Sequence, residues 1–305
     1  MKDSLYTQNG DRPDLAASIQ VNPPEGYIAQ KILPVSPVME KAGSVAYATI
    51  NADVAAQTGR SAGAAPTATQ IANSATTFSC AEAVKRGAIT PDEVKQMGGI
   101  EKADVVGTKF AMRSVQNYLE NDVCAHILGT AASASFDPVK FKTQIQDAAN
   151  SVRRYAGKST VIASTKTLQA MIQGILSNGP TDGLFARLVN GSAQALSLEA
   201  MLNGLRFYLG VDAVLAGDDA IWNAGAYKGK FALAKLDDGS DPLSHKWEPV
   251  LGKTFQFLPD GEQPWVVKSV ADLTLVNNFY DAYQWFDTIV LNAGALYVFD
   301  GVQDA

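Results

Sequence analysis

The feature that most constrains the fold is a stretch of small residues, 52–76, between two segments with strand character. The segment before it, 43–50, alternates apolar and polar side chains and places Val45 and Tyr47 on one face. Strand character returns at residues 77–80. Ala, Thr, Ser, Gln and Gly dominate the stretch, which leaves too few apolar side chains for a core. We predict a long protruding hairpin loop, and the alternative is a floppy surface insertion.

The chain before this hairpin is also poor in core-forming residues. Residues 1–26 are polar, which predicts an irregular, extended arm without a core of its own. Residues 27–35 turn apolar, but Pro34 and Pro37 disfavour a helix. An extended path along the edge of a sheet is the prediction there.

Helical signals begin after the hairpin. Thr90 is a capping residue followed by proline and two acids, which is typical of a helix start. A longer helix is predicted over residues 108–128, just past Gly107, with its last turn containing His126 as a packing residue. One apolar stripe defines it: Met112, Val115, Leu119, Val123 and Ile127. At about 1.5 Å per residue such a helix is about 30 Å long and would brace the structure.

Residues 138 to about 240 alternate helices with strands, which predicts a compact α/β unit. The elements in order are a helix opened by Asp137-Pro138, a strand at 159–163, a helix capped by Ser164 or Thr165, a helix at 198–209, and strands at 211–215 and 229–236. The C-terminal part differs, with strands predicted at 265–270, 272–276 and 295–299 and an aromatic cluster at 279–286. The whole pattern is α+β with long excursions.

Two segments match parts of catalytic or nucleotide-binding motifs, but the flanking residues that these motifs require are absent. Residues 59–63 match G-x-S-x-G but lie in the small-residue stretch, without the strand and helix that a nucleophile elbow requires. Residues 252–254 resemble the end of a phosphate loop, but Trp247 occupies the position of the required glycine. The only histidines, His126 and His245, leave little material for a catalytic triad or a metal centre.

The acidic pairs and the cysteines can each be interpreted either as structural residues or as chemically active ones. Asp218-Asp219, Asp237-Asp238 and Asp241 could bind a divalent cation, but aspartates in loops more often stabilise turns. Cys80 and Cys124 are far apart and lack a C-x-x-C neighbour, so two free, buried thiols are expected.

Charge and length narrow the function classes. The 305 residues carry a formal net charge of -6, and no run of Lys or Arg exceeds two residues, which argues against a basic nucleic-acid-binding face. Only 18% of residues are charged, as in a protein that covers much of its surface with other subunits. The chain starts without a signal peptide and contains no apolar run near the roughly 18 residues of a membrane span, so we expect a cytosolic product.

Several stretches, taken in order, resemble one known family. They are 28–38 with Lys41-Ala42-Gly43, then 78–82 followed by Thr90-Pro91, then 159–163 with the helix after it, then 198–209 followed by 210–217, and finally 280–283 followed by 293–297. This order and spacing resembles the major capsid proteins of tailed bacteriophages (Caudoviricetes) with the Hong Kong 97-type fold. The resemblance covers nearly the whole chain.

The resemblance implies an α+β fold in four parts. These are an N-terminal arm (1–40), an extended β-hairpin loop (41–79), a peripheral domain with a long spine helix (80–137 and 265–305) and an axial α/β domain (138–264). It implies pentamers and hexamers that close an icosahedral shell around double-stranded DNA. The expected subunit-interface residues are Ile32, Leu33, Val35, Lys41, Tyr47 and Phe78.

The resemblance also sets expectations for partners. It implies no catalytic residue, cofactor or metal, a separate scaffolding protein and portal, a possible decoration protein, weak contact with packaged DNA and no membrane. The protein would reside in the virion, and in the host cytoplasm during assembly. We expect no covalent Lys–Asn crosslink, although Lys41 is a candidate lysine. The alternatives are an encapsulin-type nanocompartment shell, another oligomeric virion part, and an α/β enzyme using the Asp218 to Asp241 loops.

Overall fold

The computed structural model describes residues 5–18, 26–50, 72–178, 198–217, 219–259 and 263–302. Much of the small-residue stretch, with the G-x-S-x-G match at 59–63, lies outside the described residues, as does Asp218.

The described residues form strands and helices in mixed order. The strands are β1 (Gly10–Asp11), β2 (Val35–Val38), β3 (Ala42–Ala48), β4 (Asn73–Ser79), β5 (Ala81–Ile89), β6 (Ala134–Ser135), β7 (Lys158–Ser164), β8 (Asp212–Ala216), β9 (Phe231–Leu236), β10 (Gly252–Phe257), β11 (Val266–Asp272), β12 (Asn277–Val290) and β13 (Leu296–Asp300). The α-helices are α1 (Pro13–Ser18), α2 (Ala29–Ile32), α3 (Pro91–Met97), α4 (Ile100–Leu128), α5 (Phe141–Ser151), α6 (Thr165–Asn178), α7 (Leu198–Tyr208) and α8 (Asp219–Trp222). Short 3-10 turns lie at Pro138–Lys140, Gly225–Tyr227, Ser244–Lys246 and Ala293–Ala295.

The first sheet is built around β12. Strand order is β1-β11-β12-β10-β2, and β5 pairs with the other side of β12. All these pairs are antiparallel except that of β2 with β10, which is parallel. Helix α4 packs across this sheet, and the predicted stripe is confirmed, since Met112, Val115, Leu119, Val123 and Ile127 are all buried.

Helix α4 begins at Ile100, eight residues before the predicted start at Thr108. The error comes from Gly107, which looks like a helix boundary in the sequence but lies inside the helix. A Cβ atom on Gly107 would collide with the ring of Tyr280 on β12. A Cβ atom on Gly87 of β5 would in turn come within 2.6 Å of the Gly107 carbonyl oxygen. The two glycines therefore serve the close approach of helix to sheet.

The second sheet has the order β6-β13-β9-β7-β8, with β7 parallel to β8 and antiparallel to β9. Helices α5, α6 and α7 contribute Ile145, Leu168 and Leu205 to the core beside this sheet. The predicted cap of α6 is confirmed at Ser164, whose hydroxyl accepts a hydrogen bond from the Thr167 N–H at 3.0 Å. The helices and strands predicted between 138 and 240 are thus present.

The chain passes back and forth between the two sheets. Strand β10 lies within the predicted 138–264 unit but pairs in the first sheet, and β13 lies within 265–305 but pairs in the second. One hydrophobic cluster also runs through both, joining Val115 of α4, Ile162 of β7 and Phe286 of β12. The two layers therefore share a core. The predicted division into four parts stays a prediction.

The prediction of a strand at 272–276 is wrong. Strand β11 ends at Asp272, whose carboxylate accepts hydrogen bonds from the N–H groups of Thr274 (2.8 Å) and Leu275 (3.0 Å). Val276 follows with a φ of 52°, which reverses the chain into β12. The apolar residues of this segment are exposed at the tip of a turn, because the aspartate side chain stabilises the turn there.

The predictions for the chain before residue 35 need two corrections. Residues 5–18, the N-terminal segment, are not irregular, since they form β1 and α1 and bury Leu15 against α4 and β11. Residues 29–32 form the helical turn α2 instead of an extended path. Its first N–H groups, Ile28 and Ala29, donate to the two carboxylate oxygens of Glu120 at 2.9 Å each. A distant carboxylate thus caps a turn that local sequence does not favour.

Strands β3 and β4 pair along their length, from Ala42 with Ser79 to Ala48 with Asn73, and form a two-stranded hairpin ribbon. This confirms a strand on either side of the small-residue stretch, but the second begins at Asn73, four residues before its predicted start at Thr77. The ribbon is anchored at its base, where the ring of Phe78 stacks on that of Phe255 with centroids 5.3 Å apart. Val45 and Cys80 join the same buried cluster.

Candidate functional site

The six predicted interface residues separate into two groups. Ile32 and Leu33 are buried in the core shared by the two sheets, and the Leu33 carbonyl accepts a hydrogen bond from the Thr254 hydroxyl at 3.0 Å. Phe78 is buried in the ribbon's base. The packing of these three side chains within their own chain leaves them little surface for a neighbouring subunit.

The other three keep exposed area. Val35 and Tyr47 are half-buried, and Lys41 is exposed at the start of the ribbon. The Lys41 ammonium lies 4.8 Å from the ring centroid of Trp285 and 5.5 Å from that of Phe257. Cation–π contacts of this kind hold a long side chain in place while its charge stays near solvent. The interface role of all six residues stays a prediction.

Lys41 belongs to a row of cations on the sheet face opposite α4, which the sequence did not reveal. Because side chains alternate along β12, Tyr280 faces the helix while Phe279, Tyr283 and Trp285 face away. The Arg86 guanidinium lies 4.9 Å from the centroid of Phe279, and Lys268 lies 5.5 Å from that of Tyr283. Alternating aromatics at 279–285 were visible in the sequence, but their cations come from three other segments.

Arg86 is fixed further by Asp281 on the same face. Two hydrogen bonds of 2.6 and 2.7 Å join the guanidinium to the carboxylate. The hydrogen bond to Asp281 raises the pKa of Arg86 above its ordinary value. This geometry gives the face a rigid arrangement of charge.

The aspartates singled out in the sequence stabilise structure. Asp238 and Asp241 each accept a hydrogen bond from the backbone N–H two residues later, at 2.9 and 2.8 Å, as turn residues do. Asp237 accepts hydrogen bonds from Lys253 (2.7 Å) and Ser244 (2.6 Å).

The ion pair of Asp237 with Lys253 was not predicted. Lys253 belongs to the G-K-T segment, which is strand β10 rather than a phosphate loop, and its side chain is 0% exposed. Burial acts to raise the pKa of Asp237, but the hydrogen bonds from Lys253 and Ser244 lower it below its ordinary value. The pair is separated in sequence and has no motif, so no local signal could have found it.

His245 lies next to this ion pair, in the turn Ser244–Lys246, and is 1% exposed. Its ring meets Phe255 edge-on at 5.6 Å, and neither ring nitrogen has a hydrogen-bond partner among the described residues. Burial, and then the charge of Lys253, lower the pKa of His245. A neutral imidazole packed on an aromatic ring is a structural element of the ribbon's base.

His126 and the two cysteines are the other reactive side chains singled out in the sequence. His126 lies in the last turn of α4 as predicted, but its side chain is exposed and not packed, with Nδ1 2.9 Å from the carbonyl oxygen of Asp122. Both cysteines are free and buried, as predicted, and burial raises the pKa of Cys80 to about 11 and that of Cys124 to about 12. Among the described residues, no group of three or more His, Cys, Asp or Glu side chains is placed to hold a metal ion.

An open cleft of about 860 Å³ lies between α2, α7, the strands β7 and β8, and the loop that follows β9. Its charged groups are mostly engaged with one another or with turns. Arg206 pairs with Asp212 at 3.1 Å, and Asp237 pairs with Lys253. Ser244 and Asp237 both line the cleft, but the Ser244 hydroxyl and the Lys253 ammonium donate to the same Asp237 oxygen, which holds this carboxylate in the ion pair.

Within the part of the chain that the structure describes, no helix is both long and apolar enough to cross a lipid bilayer.

Comparison with known proteins gives matches at the level of structure. No protein-family model matches the chain, and no curated protein matches its sequence. A phage-related protein from Bordetella bronchiseptica RB50 aligns over 98% of this chain and 100% of its own, with 16% identity and a TM-score of 0.63.

Two further solved structures share the fold. The capsid of cyanophage P-SCSP1u aligns over 93% of this chain and 91% of its own, with 8% identity and a TM-score of 0.52. The holo-SrpI encapsulin complex from Synechococcus elongatus PCC 7942 aligns over 92% of this chain and 89% of its own, with 10% identity and a TM-score of 0.52.

Proposed function

Because the chain has the Hong Kong 97-type capsid fold that its segment order predicted, we propose that it is the major capsid protein of a tailed bacteriophage. The observation that carries this proposal is the extent of the structural match. The phage-related protein from Bordetella bronchiseptica aligns over 98% of this chain and 100% of its own, so the likeness extends over the whole fold.

We propose that the subunit assembles into pentamers and hexamers and that these close an icosahedral shell. The hairpin ribbon supports this role, because a two-stranded ribbon is marginally stable alone and gains from contact with a neighbour. Lys41 and Tyr47 on the ribbon and Val35 on the edge strand β2 are the interface candidates with surface to offer. The arm, extended loop, peripheral and axial parts remain our proposed division of the chain.

We propose that the shell encloses double-stranded DNA and grips it weakly. The formal charge of -6 supports this, since tight phosphate contacts depend on a cationic surface. A separate scaffolding protein, a portal and a possible decoration protein are the further partners of the proposal. The virion is its proposed location, and the host cytoplasm the place of assembly.

An encapsulin-type nanocompartment shell is the second candidate, because the encapsulin complex shares the fold. The higher TM-score of the phage-related protein favours the phage reading. An enzyme using the Asp218 to Asp241 loops has little support, since Asp237, Asp238 and Asp241 are held in an ion pair or in turns.

Negative-stain electron microscopy of the purified recombinant protein, with sizing by light scattering, tests the proposal. We expect closed shells, or rings of five and six subunits. Nucleic acid in particles purified from a native source would favour the phage reading, and an enclosed enzyme would favour the nanocompartment. A monodisperse monomer that stays monomeric with a co-expressed scaffolding protein would contradict both.

A further inference from the structure

The N-terminal half of α4 carries an exposed apolar stripe on the face turned away from the core. Phe110 is 63% exposed and Val106 is 45% exposed. They are four residues apart and therefore lie one above the other on the helix. The ring of Phe110 lies beside Gly87 of β5, which has no side chain to cover it. A large apolar side chain this exposed on a rigid helix is typical of a contact surface.

Cations line one side of this stripe. Lys102, Lys109 and Arg113 are exposed, and their spacing from Phe110 places them on neighbouring rows of the helix. None of the three forms an ion pair with a residue that the structure describes. No acidic residue occurs between positions 105 and 119. In a chain of net charge -6, this is a local reversal of charge.

The combination points to an acidic amphipathic helix as the occupant. An apolar stripe with cations along one side is complementary to a helix with an apolar stripe flanked by Asp or Glu. Duplex DNA would match the cations but offers its phosphates, not an apolar surface, to Phe110 and Val106. The same face of a second copy would bring like charges together. The open stretch from Lys102 to Arg113 is about three turns long, the length of a typical docking helix.

We propose that the Lys102–Arg113 face of α4 binds an amphipathic helix with acidic flanks, contributed by a different polypeptide. Phe110 and Val106 fill the apolar stripe of that helix, and Lys109 and Arg113 pair with its carboxylates. The binding does not depend on shell formation. Assigning the helix to a scaffolding protein rests on the proposed capsid function.

Fluorescence anisotropy with labelled synthetic peptides tests the binding on the full-length protein. The probe is an amphipathic helix of about 20 residues, long enough to hold its helical form, with leucines on one stripe and glutamates beside it. A second peptide replaces the glutamates with lysines, and a third probe is a short DNA duplex. We expect the acidic peptide alone to bind, and its affinity to fall as salt is raised.

Variants locate the site. Phe110→Ala and Arg113→Glu should each weaken binding of the acidic peptide at least about tenfold, and Arg113→Lys should restore most of it. The matched controls are Phe207→Ala, which removes another exposed phenylalanine, and Arg154→Glu, which makes the same charge change on another surface. Both should bind like the wild type. Melting curves check that each variant remains folded.

Three outcomes would overturn the proposal. Binding that is absent, or that Phe110→Ala and Arg113→Glu leave unchanged, shows that this face is not the site. DNA binding with the same variant sensitivity assigns the face to nucleic acid. Self-association that Phe110→Ala abolishes, seen by sedimentation, assigns it to a second copy. Each result is independent of whether shells appear in the microscope.

Discussion

The N-terminal segment and the hairpin ribbon are both poor in core-forming residues, yet the structure treats them differently. The N-terminal segment adds β1 to the edge of the first sheet and is held by side chains from α4 and β12. The ribbon's strands pair mainly with each other, and the ribbon contacts the rest of the chain through Phe78 and Val45 and through Ala48, whose carbonyl accepts a hydrogen bond from Asn292.

Specific polar contacts account for the docking of the N-terminal segment. Asn278 accepts a hydrogen bond from the Thr7 N–H and donates one to the Leu5 carbonyl, each at 2.9 Å. Asp104 accepts hydrogen bonds from Arg12 (3.0 Å) and from the hydroxyl of Tyr280 (2.7 Å). The comparison shows that a segment with few apolar residues can still be docked on its own subunit. A few buried polar partners, together with the buried side chain of Leu15, dock it.

We expect the largest effect from a substitution in the hydrophobic core of the subunit. Leu119→Asp places an unpaired charge on the buried stripe of α4, and we expect the subunit to lose its cooperative fold. Near-ultraviolet circular dichroism and thermal melting measure this. Asn121→Asp is the control, because it adds the same charge at an exposed position of the helix. A soluble Leu119→Asp protein with a cooperative melt would refute the packing of α4.

A smaller effect should distinguish the N-terminal segment from the ribbon. Asp104→Ala leaves the buried Tyr280 hydroxyl and Arg12 without their partner, so we expect the free energy of unfolding to fall by about 2–4 kcal/mol. Chymotrypsin should also cleave faster within residues 5–18, where Tyr6 and Leu15 are its sites. Denaturant titration and timed proteolysis measure the two effects. Asp92→Ala, which removes an exposed carboxylate, should change neither. Unaltered cleavage in Asp104→Ala would show that the segment is held by other contacts.

Replacing the residues between the two ribbon strands should affect assembly and leave stability nearly unchanged. We expect replacement of residues 51–71 by a short Gly-Ser linker to change the free energy of unfolding by less than about 1 kcal/mol, because the paired strands β3 and β4 and their contacts are retained. Stable closed shells should be lost, as judged by electron microscopy. Normal particles from this variant would show that the excursion is dispensable for assembly.

The smallest expected effect concerns pH at the base of the ribbon. The charged groups near His245 are Lys253, Lys246 and Asp241. Because burial and Lys253 lower the pKa of His245, the unfolded chain takes up the proton more readily than the folded one. Its contribution to stability is therefore complete above the ordinary value of about 6.5 and is lost as the pH falls toward the folded pKa.

His245→Phe removes this titration and keeps the packing on Phe255. Between pH 7 and pH 5 we expect the wild type to lose stability relative to the variant by an amount on the order of 1 kcal/mol. Melting temperatures across this range provide the measurement. If the melting temperatures of the two proteins change equally with pH, protonation of His245 does not account for the loss of stability.

Local signals in the sequence predicted much of the helical structure. The stripe of α4 is periodic, and the start of α3 contains a full capping box, in which Thr90 and Glu93 bond each other's backbone N–H groups. These features depend on residues within about one or two turns of each other, so a linear reading captures them.

The failures have long-range causes. Gly107 permits close contact with Tyr280, more than one hundred residues away in the chain, and Glu120 caps the turn at Ala29. Strand β5 carries Glu82, Lys85 and Arg86, and it was missed because its pairing with β12 outweighs its poor local pattern. At the candidate site, the cation–aromatic face and the ion pair of Asp237 with Lys253 join separate segments and left no motif to find.

The long sequence separation between paired strands of the first sheet has a consequence for folding during synthesis. Strand β2 pairs with β10, which follows it by about 220 residues, and β5 pairs with β12 at a similar distance along the chain. At roughly 5–20 residues per second, a ribosome needs on the order of 10–40 s to supply these partners. In contrast, β7, β8 and β9 lie close together in the chain and pair early. Strands β2 and β5 therefore leave the ribosome before their partners and remain unpaired during synthesis. We expect folding of this chain to be slow and to depend on chaperones that shield such unpaired strands.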